Sequence, residues 1–258
     1  MQMKKKLVAL LAGALLALGM AGNAMAYFSG DDLIRVVYNT STNVEAVTDL
    51  GSIESLTGTT NNVVGGGANS FMSVSGLSGS NLANDNVAYF AISTTYNGNT
   101  GKYLWASGST TTASGITPSK WASSGAALQQ LIGQWNVNGN NSQTYIGNTT
   151  ATPSYFVTAN KTGTSIGSLD GFMNAASIPN TEANLATLAS TAVQQGLWYF
   201  GTANKTTAAG VQQLELQTNA DGSTTINPGS ATPTPIPPAF FLMGSGLLGM
   251  FGLRRKRA

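Results

Sequence analysis

Residues 86–110, NVAYFAISTTYNGNTGKYLWASGST, decide the fold of this chain. Two runs rich in β-branched and aromatic residues, 86–94 and 102–110, lie on either side of the turn sequence Asn97-Gly98-Asn99. Strand-forming runs around an Asn-Gly turn are typical of a β-hairpin. The stretch therefore predicts two antiparallel strands.

The same pattern recurs along the chain. LIRVVYNT (33–40) and VEAVTDLGSI (44–53) are separated by turn residues 41–43. In 211–227, Leu214 and Leu216 alternate with polar residues, and Asp221-Gly222 supplies a turn. Further predicted strands are 70–76, 143–147, 155–160 and 196–202. Short strands at this spacing predict a mainly β, antiparallel β-sandwich-like body.

Two segments show a helical period instead. Leu128, Leu131, Ile132 and Trp135 fall on one face of a helix in residues 119–135. A second short helix is predicted between residues 180 and 196, where four apolar residues repeat at the same spacing. These four are Leu185, Leu188, Ala189 and Ala192. We expect both helices to cover the sheets.

Composition excludes several kinds of chemistry. The chain has no cysteine and no histidine, which excludes zinc sites, thiolate chemistry and serine-histidine catalysis. Seven of the basic residues lie near the two ends, so the body has five basic and ten acidic residues, a net charge of −5. An acidic body with scattered basic residues disfavours nucleic-acid binding.

Candidate catalytic or metal-binding residues are few. Asp31 and Asp32 are adjacent and precede a strand, while Asp85 and Asp170 each lie beside turn residues. Paired carboxylates would permit glycoside hydrolysis, which leaves a carboxylate hydrolase as a minor alternative. Around Asp85 the alternatives are a structural calcium site and an Asx-rich turn. No cofactor is otherwise expected.

Aromatic residues offer a second kind of site, because their rings can stack on sugars. Tyr96 and Tyr145 lie beside turn residues and are the better sugar platforms. The four tryptophans lie within apolar patterns, so we expect them in the core. They are Trp105, Trp121, Trp135 and Trp198.

Residues 1–26 have the parts of an export signal in order. Three lysines precede an apolar run, and Ala24 and Ala26 form a small-x-small cleavage site. The apolar run is shorter than the ~20 residues that a membrane span needs. We expect a signal peptide at 1–26, cleavage by signal peptidase, and a mature secreted β-rich domain from Tyr27 to residue 231.

Residues 232–258 form a third segment. A proline stretch is followed by fifteen uncharged residues, 239–253, and then by Arg254, Arg255, Lys256 and Arg257. As a helix the apolar run spans about 22 Å, short of the ~30 Å hydrocarbon core but without a polar face. The basic cluster acts as a membrane stop that fixes the C-terminus in the cytoplasm. The segment predicts a single hydrophobic transmembrane helix.

This order of proline motif, glycine-studded helix and terminal arginine cluster resembles the PEP-CTERM sorting signal of Gram-negative bacteria. Here Pro235, Ile236 and Pro237 replace the family's Pro-Glu-Pro. The resemblance covers about a tenth of the chain. It implies transient insertion in the inner membrane, removal of the tail by an exosortase-type sorting protease, and delivery to the cell surface or extracellular matrix.

The expected function is accordingly that of a non-enzymatic surface or matrix protein associated with exopolysaccharide and biofilm. One alternative is a glycan-binding adhesin that presents loop tyrosines. Another, for the tail alone, is a plain membrane anchor that is never cut.

Overall fold

The structure is a computed structural model that describes residues 28–29, 31–96, 98–111, 118–138, 144–150, 154–155, 168–170, 177–179, 181–202 and 210–229. The chain divides into two units after Pro228, and all described residues except Gly229 belong to the first. The two terminal signals predicted from the sequence lie outside the described residues. No helix in the described part is long and apolar enough to cross a membrane.

The described chain is mainly β, as predicted. The twelve strands are β1 (Asp32–Asn39), β2 (Val44–Ser52), β3 (Asn62–Val64), β4 (Asp85–Tyr96), β5 (Asn99–Gly108), β6 (Thr144–Gly147), β7 (Ser168–Asp170), β8 (Ser177–Pro179), β9 (Glu182–Asn184), β10 (Val193–Thr202), β11 (Val211–Thr218) and β12 (Thr224–Ile226). The helices are α1 (Ile53–Thr57) and α2 (Pro118–Asn138), with short 3-10 turns at Gly67–Asn69, Phe71–Ser73 and Gly79–Asn84.

One antiparallel sheet contains most of the strands, in the order β3-β12-β11-β10-β5-β4-β1-β2-β6, and β9 also pairs with β4. The three predicted hairpins β1-β2, β4-β5 and β11-β12 are present. Their turns contain Asn43, Gly98 and Gly222 at positive φ, the conformation that asparagine and glycine adopt most readily. Local turn chemistry thus fixes three pairings.

The sheet curls, so that strands far apart in its order meet. The Tyr89 hydroxyl on β4 lies 2.7 Å from the Thr218 hydroxyl on β11 and 3.0 Å from the Thr224 hydroxyl on β12. Arg35 on β1 reaches the same end of β12. The curled sheet therefore encloses one of its faces.

Both faces of the central strands are buried, and each forms its own core. The outer face carries the helix-side core, which packs against α2 and includes Phe28, Ile34, Val36, Phe90, Ile92, Leu104, Tyr155, Trp198 and Phe200. The enclosed face carries the inner core, which includes Leu33, Val37, Phe71, Tyr89, Tyr103, Trp105, Leu197, Leu214 and Ile226. Alternate residues of one strand enter different cores. Because both faces are buried, β1 and β4 have nearly continuous apolar sequences.

Helix α2 follows the sequence prediction closely. Pro118 occupies its first position, where the missing N–H costs nothing. The predicted face, Leu128, Leu131, Ile132 and Trp135, is buried in the helix-side core. The predicted core placement of Trp105, Trp135 and Trp198 is likewise confirmed, while the side chain of Trp121 lies outside the described residues.

Two predicted elements are wrong. The described residues 181–196 do not form a helix: Glu182–Asn184 is strand β9, and a turn then leads to β10 at Val193. The Asn184 side chain accepts a hydrogen bond from the Ala186 N–H, which closes an Asx turn instead of starting a helix. Leu185 and Leu188 are still buried, in the inner core. Ala189 of the same predicted face is exposed and Ala192 is half-buried. The spacing therefore predicted the burial of the two leucines but not the conformation of the segment.

The predicted strand at 70–76 is the second error. Phe71–Ser73 is a 3-10 turn, and the Ser70 hydroxyl accepts from the Met72 N–H at its start. Serine at such a position favours a turn over an extended strand. Phe71 is nevertheless buried in the inner core.

Candidate functional site

The predicted processing residues all lie outside the described residues. They are Ala24, Ala26 and Tyr27 at the cleavage site, Pro235, Ile236 and Pro237 in the sorting motif, and Arg254, Arg255, Lys256 and Arg257 at the membrane stop. The described body begins one residue after the predicted cleavage site, at Phe28. Its ring lies 6.0 Å from that of Trp135. The Asn136 side chain accepts from the Phe28 N–H at 2.8 Å and donates to its carbonyl at 2.7 Å.

The most distinctive polar feature is an acidic corner formed by Asp31, Asp32, Asp49 and Glu54. It lies where β1 begins and where β2 passes into α1. The register of β1 against β2 shifts between Asp32 and Ile34. Within the described residues, no group of three or more acidic side chains is arranged so that it could hold a metal ion. The corner therefore gathers four carboxyl groups near the start of β1.

Asp32 and Asp49 in this corner share a hydrogen bond between their side chains. Burial, reinforced by the charge of Asp32, raises the pKa of Asp49 to about 7. Burial also raises the pKa of Asp32. The Gly51 N–H donates to Asp49 at 2.7 Å, and the Ser29 N–H donates to Asp32 at 2.9 Å. The two N–H bonds oppose these rises, but burial outweighs them, so the pair keeps a proton to higher pH than isolated carboxyl groups do.

A depression of about 60 Å³ opens beside the acidic corner. Two of its lining residues are bonded to each other, because the Ser93 hydroxyl donates to the Asp31 carboxylate. The side chains that line the depression are two carboxylates, two hydroxyls, one phenol and one aliphatic group. They belong to Asp31, Ser52, Ile53, Glu54, Ser93 and Tyr96.

Tyr96 connects this depression to a group of four rings, here called the tyrosine cluster: Tyr96, Tyr103, Trp105 and Tyr199. From Tyr96 the ring centroids lie at 5.7 Å (Tyr103), 4.9 Å (Trp105) and 5.4 Å (Tyr199). Gln213 forms hydrogen bonds with two members of this cluster. The Gln213 Oε1 accepts from the Trp105 Nε1 at 2.8 Å, and its Nε2 donates to the Tyr96 hydroxyl at 3.1 Å.

Tyr96 and Tyr145, the two tyrosines that the sequence favoured, lie in different surroundings. Both are half-buried. Tyr145 lies on strand β6 and packs against the helix-side core, whereas Tyr96 packs against the inner core. Of the two, Tyr96 packs its ring against Trp105 and lines the depression.

Asp85, another of the predicted acids, is separated from this site. Asp85 lies at the opposite end of β1 from Asp32, because it pairs with Asn39. It is fully buried and accepts from the Asn39 Nδ2 at 2.6 Å. Burial raises the pKa of Asp85 to about 6, although the bond from Asn39 opposes the rise. Asp170 lies on β7, and its side chain is not described.

Sequence reasoning missed the role of Arg35, which it counted only as a scattered charge. Its guanidinium is fully buried in the enclosed side of the sheet. It donates to the carbonyls of Gly222 at 2.7 Å, Gly65 at 3.0 Å and Asn69 at 3.1 Å. The sequence did contain one signal, because Arg35 lies within the apolar strand LIRVVY. A charged side chain in such a strand is buried with polar partners or interrupts the apolar face.

A comparison with known protein families, with curated proteins and with solved structures found no match for this chain.

Proposed function

We propose that this chain is an exported, non-enzymatic protein of the cell surface or extracellular matrix in a Gram-negative bacterium, associated with exopolysaccharide and biofilm. The observation that carries the proposal is the pair of terminal signals. Residues 1–26 read as a signal peptide, and 232–258 combine a proline motif, fifteen uncharged residues and a basic cluster. Its processing partners would be signal peptidase and an exosortase-type sorting protease.

The packing of the body supports this division. Phe28, next to the predicted cleavage site, is buried in the helix-side core. Ile226, near the predicted tail, is buried in the inner core. Each end of the body is therefore anchored by its own residues, so that a body cut at Tyr27 and near Pro235 keeps both anchors.

The arrangement of the carboxylates supports a non-enzymatic role. Glycosidases hold their two carboxyl groups about 5–9.5 Å apart so that sugar or water fits between them. Asp32 and Asp49 instead bond directly to each other. They act as one proton-sharing unit that ties β1 to β2. A carboxylate hydrolase is for this reason the weakest of the functions considered.

Intact-mass measurement of protein recovered from membrane and medium tests the proposal. We expect a species that begins at Tyr27 and ends near Pro235. A matched variant with the four residues 254–257 replaced by alanine should lose the shortened species while retaining cleavage at Tyr27.

Two outcomes would contradict parts of the proposal. Chains that begin at Tyr27 but always retain Arg257 would establish a plain anchor instead of a sorting signal. Chains that keep Met1 and remain in the cytoplasm would refute export.

A second candidate function is glycan binding by the body. The observation that favours it is the position of Tyr96, which joins the tyrosine cluster to a depression lined by hydrogen-bonding groups. The ligand class for this surface is developed below.

A further inference from the structure

We infer that the depression beside Tyr96 binds a neutral sugar or amino sugar within a glycan chain. This inference gives the second candidate function a ligand class and does not depend on sorting of the tail. Failure of export would leave the binding test intact, and failure of binding would leave the processing test intact.

The first argument is the character of the aromatic surface. Tyr96 and Tyr199 are half-buried, and their rings are held by contacts with Trp105 at 4.9 and 5.0 Å. Rings fixed in this way lose little conformational entropy when a ligand stacks on them. A tyrosine also presents an apolar body and a polar tip. A sugar ring matches both, because its C–H face is apolar and its edge carries hydroxyls.

The second argument is the charge of the groups that line the depression and whether they accept or donate hydrogen bonds. Asp31 and Glu54 contribute carboxylates and Ser52 contributes a hydroxyl, while the Ser93 hydroxyl already donates to Asp31. None of the described residues lining the depression is basic. Carboxylates only accept hydrogen bonds, so they favour a ligand that donates them through hydroxyl or ammonium groups. Uronic acids, sulfated sugars and phosphates are disfavoured by charge repulsion.

The third argument is size. A depression of about 60 Å³ holds a few water-sized groups, far less than the ~300 Å³ or more of a pocket that encloses a small molecule. One hydroxymethyl or amino substituent fits inside, while the sugar ring stays outside against Tyr96. The site therefore recognises one face of a polymer, and its affinity depends on several copies engaging one chain.

The test is binding of the full-length protein, kept in mild detergent, to immobilised glycans of three classes: neutral hexose polymers, amino-sugar polymers and uronic-acid polymers. We expect binding to the first or second class and little to the third. Tyr96→Ala should weaken binding roughly tenfold or more, the loss typical of an anchoring aromatic residue. Tyr96→Phe should retain most of it, because the ring remains.

Tyr145→Ala is the matched control, because it removes an equally half-buried tyrosine from the other face of the sheet. It should leave binding unchanged. Asp31→Ala is a second, independent variant, since Asp31 is exposed and its loss removes an acceptor without removing a ring. It should weaken binding even if Tyr96→Ala does not fold.

Three results would overturn the inference. The first is no binding of the wild-type protein to neutral or amino sugars. The second is a preference for uronic acids. The third is equal loss of binding in Tyr145→Ala and in folded Tyr96→Ala.

Discussion

Replacing Asp49 with asparagine should make the protein more stable at neutral and alkaline pH and flatten its pH dependence. Asp49 is 8% exposed, and its pKa is raised from 3.8 to about 7. The folded state therefore binds this proton more tightly than the unfolded state does. The stabilisation is complete below about pH 4 and is lost as the pH rises through about 7.

The magnitude follows from the two pKa values. A change from 3.8 to about 7 corresponds to about 4 kcal/mol in the free energy of unfolding, of which about 3 kcal/mol is lost between pH 5 and pH 8. Asparagine reproduces the protonated carboxyl, because its oxygen can accept from the Gly51 N–H and its amide can donate to Asp32. Asp49→Asn should thus escape this loss. A smaller loss of stability should remain from Asp85 as the pH rises through about 6.

Urea unfolding followed by tryptophan fluorescence at pH 5 and pH 8 measures the effect. The difference between Asp49→Asn and the wild type should grow by about 3 kcal/mol from the lower to the higher pH. Glu54→Gln, an exposed change in the same acidic corner, is the matched control and should follow the wild type. The reasoning is refuted if Asp49→Asn keeps the full wild-type slope, or if Glu54→Gln flattens it equally.

Three other substitutions test the packing. Arg35→Met should lower the free energy of unfolding by roughly 3 kcal/mol or more, because the buried Gly222 carbonyl and the part-buried carbonyls of Gly65 and Asn69 lose their donor. Lys102→Met, an exposed change, should alter it by less than about 0.5 kcal/mol. Equal effects would contradict the role of the guanidinium. Gly222→Ala should lower the free energy of unfolding by about 2–3 kcal/mol in the same assay. Gly222 has a φ of +78°, and the new Cβ would overlap the Ser70 hydroxyl. Gly79→Ala, with φ +65° and open space, should cost only about 1 kcal/mol, and a matching loss would refute the steric argument. Asn136→Ala should lower the free energy of unfolding by about 1–3 kcal/mol, because the Phe28 N–H and carbonyl lose their side-chain partner. Hydrogen exchange at the Phe28 amide should become faster, and unchanged exchange there would contradict the anchoring.

Local sequence signals predicted the hairpins because the relevant interactions lie within a few residues. The turn at Gly98 requires positive φ, and the sequence supplies glycine there. The buried face of α2 followed from a 3.6-residue period, since helical geometry alone places Leu128 and Leu131 on one side. The wrong helix at 180–196 shows the limit of this reasoning. Its leucines are buried, but pairing of Glu182–Asn184 with β4 decided the conformation.

The candidate site depended on contacts that spacing along the chain does not reveal. The tyrosine cluster combines residues of β4, β5 and β10, and Gln213 of β11 closes it. Tyr96 was singled out from its turn, but its partners were not. The bond between Asp32 and Asp49 joins the ends of two strands whose register carries an irregularity. Register is set by the whole sheet, and a shift of one residue changes which side chains meet.

The sequence by itself determined the β-rich class, the three hairpins and the buried face of α2, because each depends on neighbours in the chain. Only the tertiary structure decided that the sheet curls, that Arg35 is buried among backbone carbonyls, and that Tyr96 lies beside an acidic corner. Those features arise from pairing between strands distant in sequence. Their energies come from burial and from charges brought close together, and neither exists until the sheet has closed.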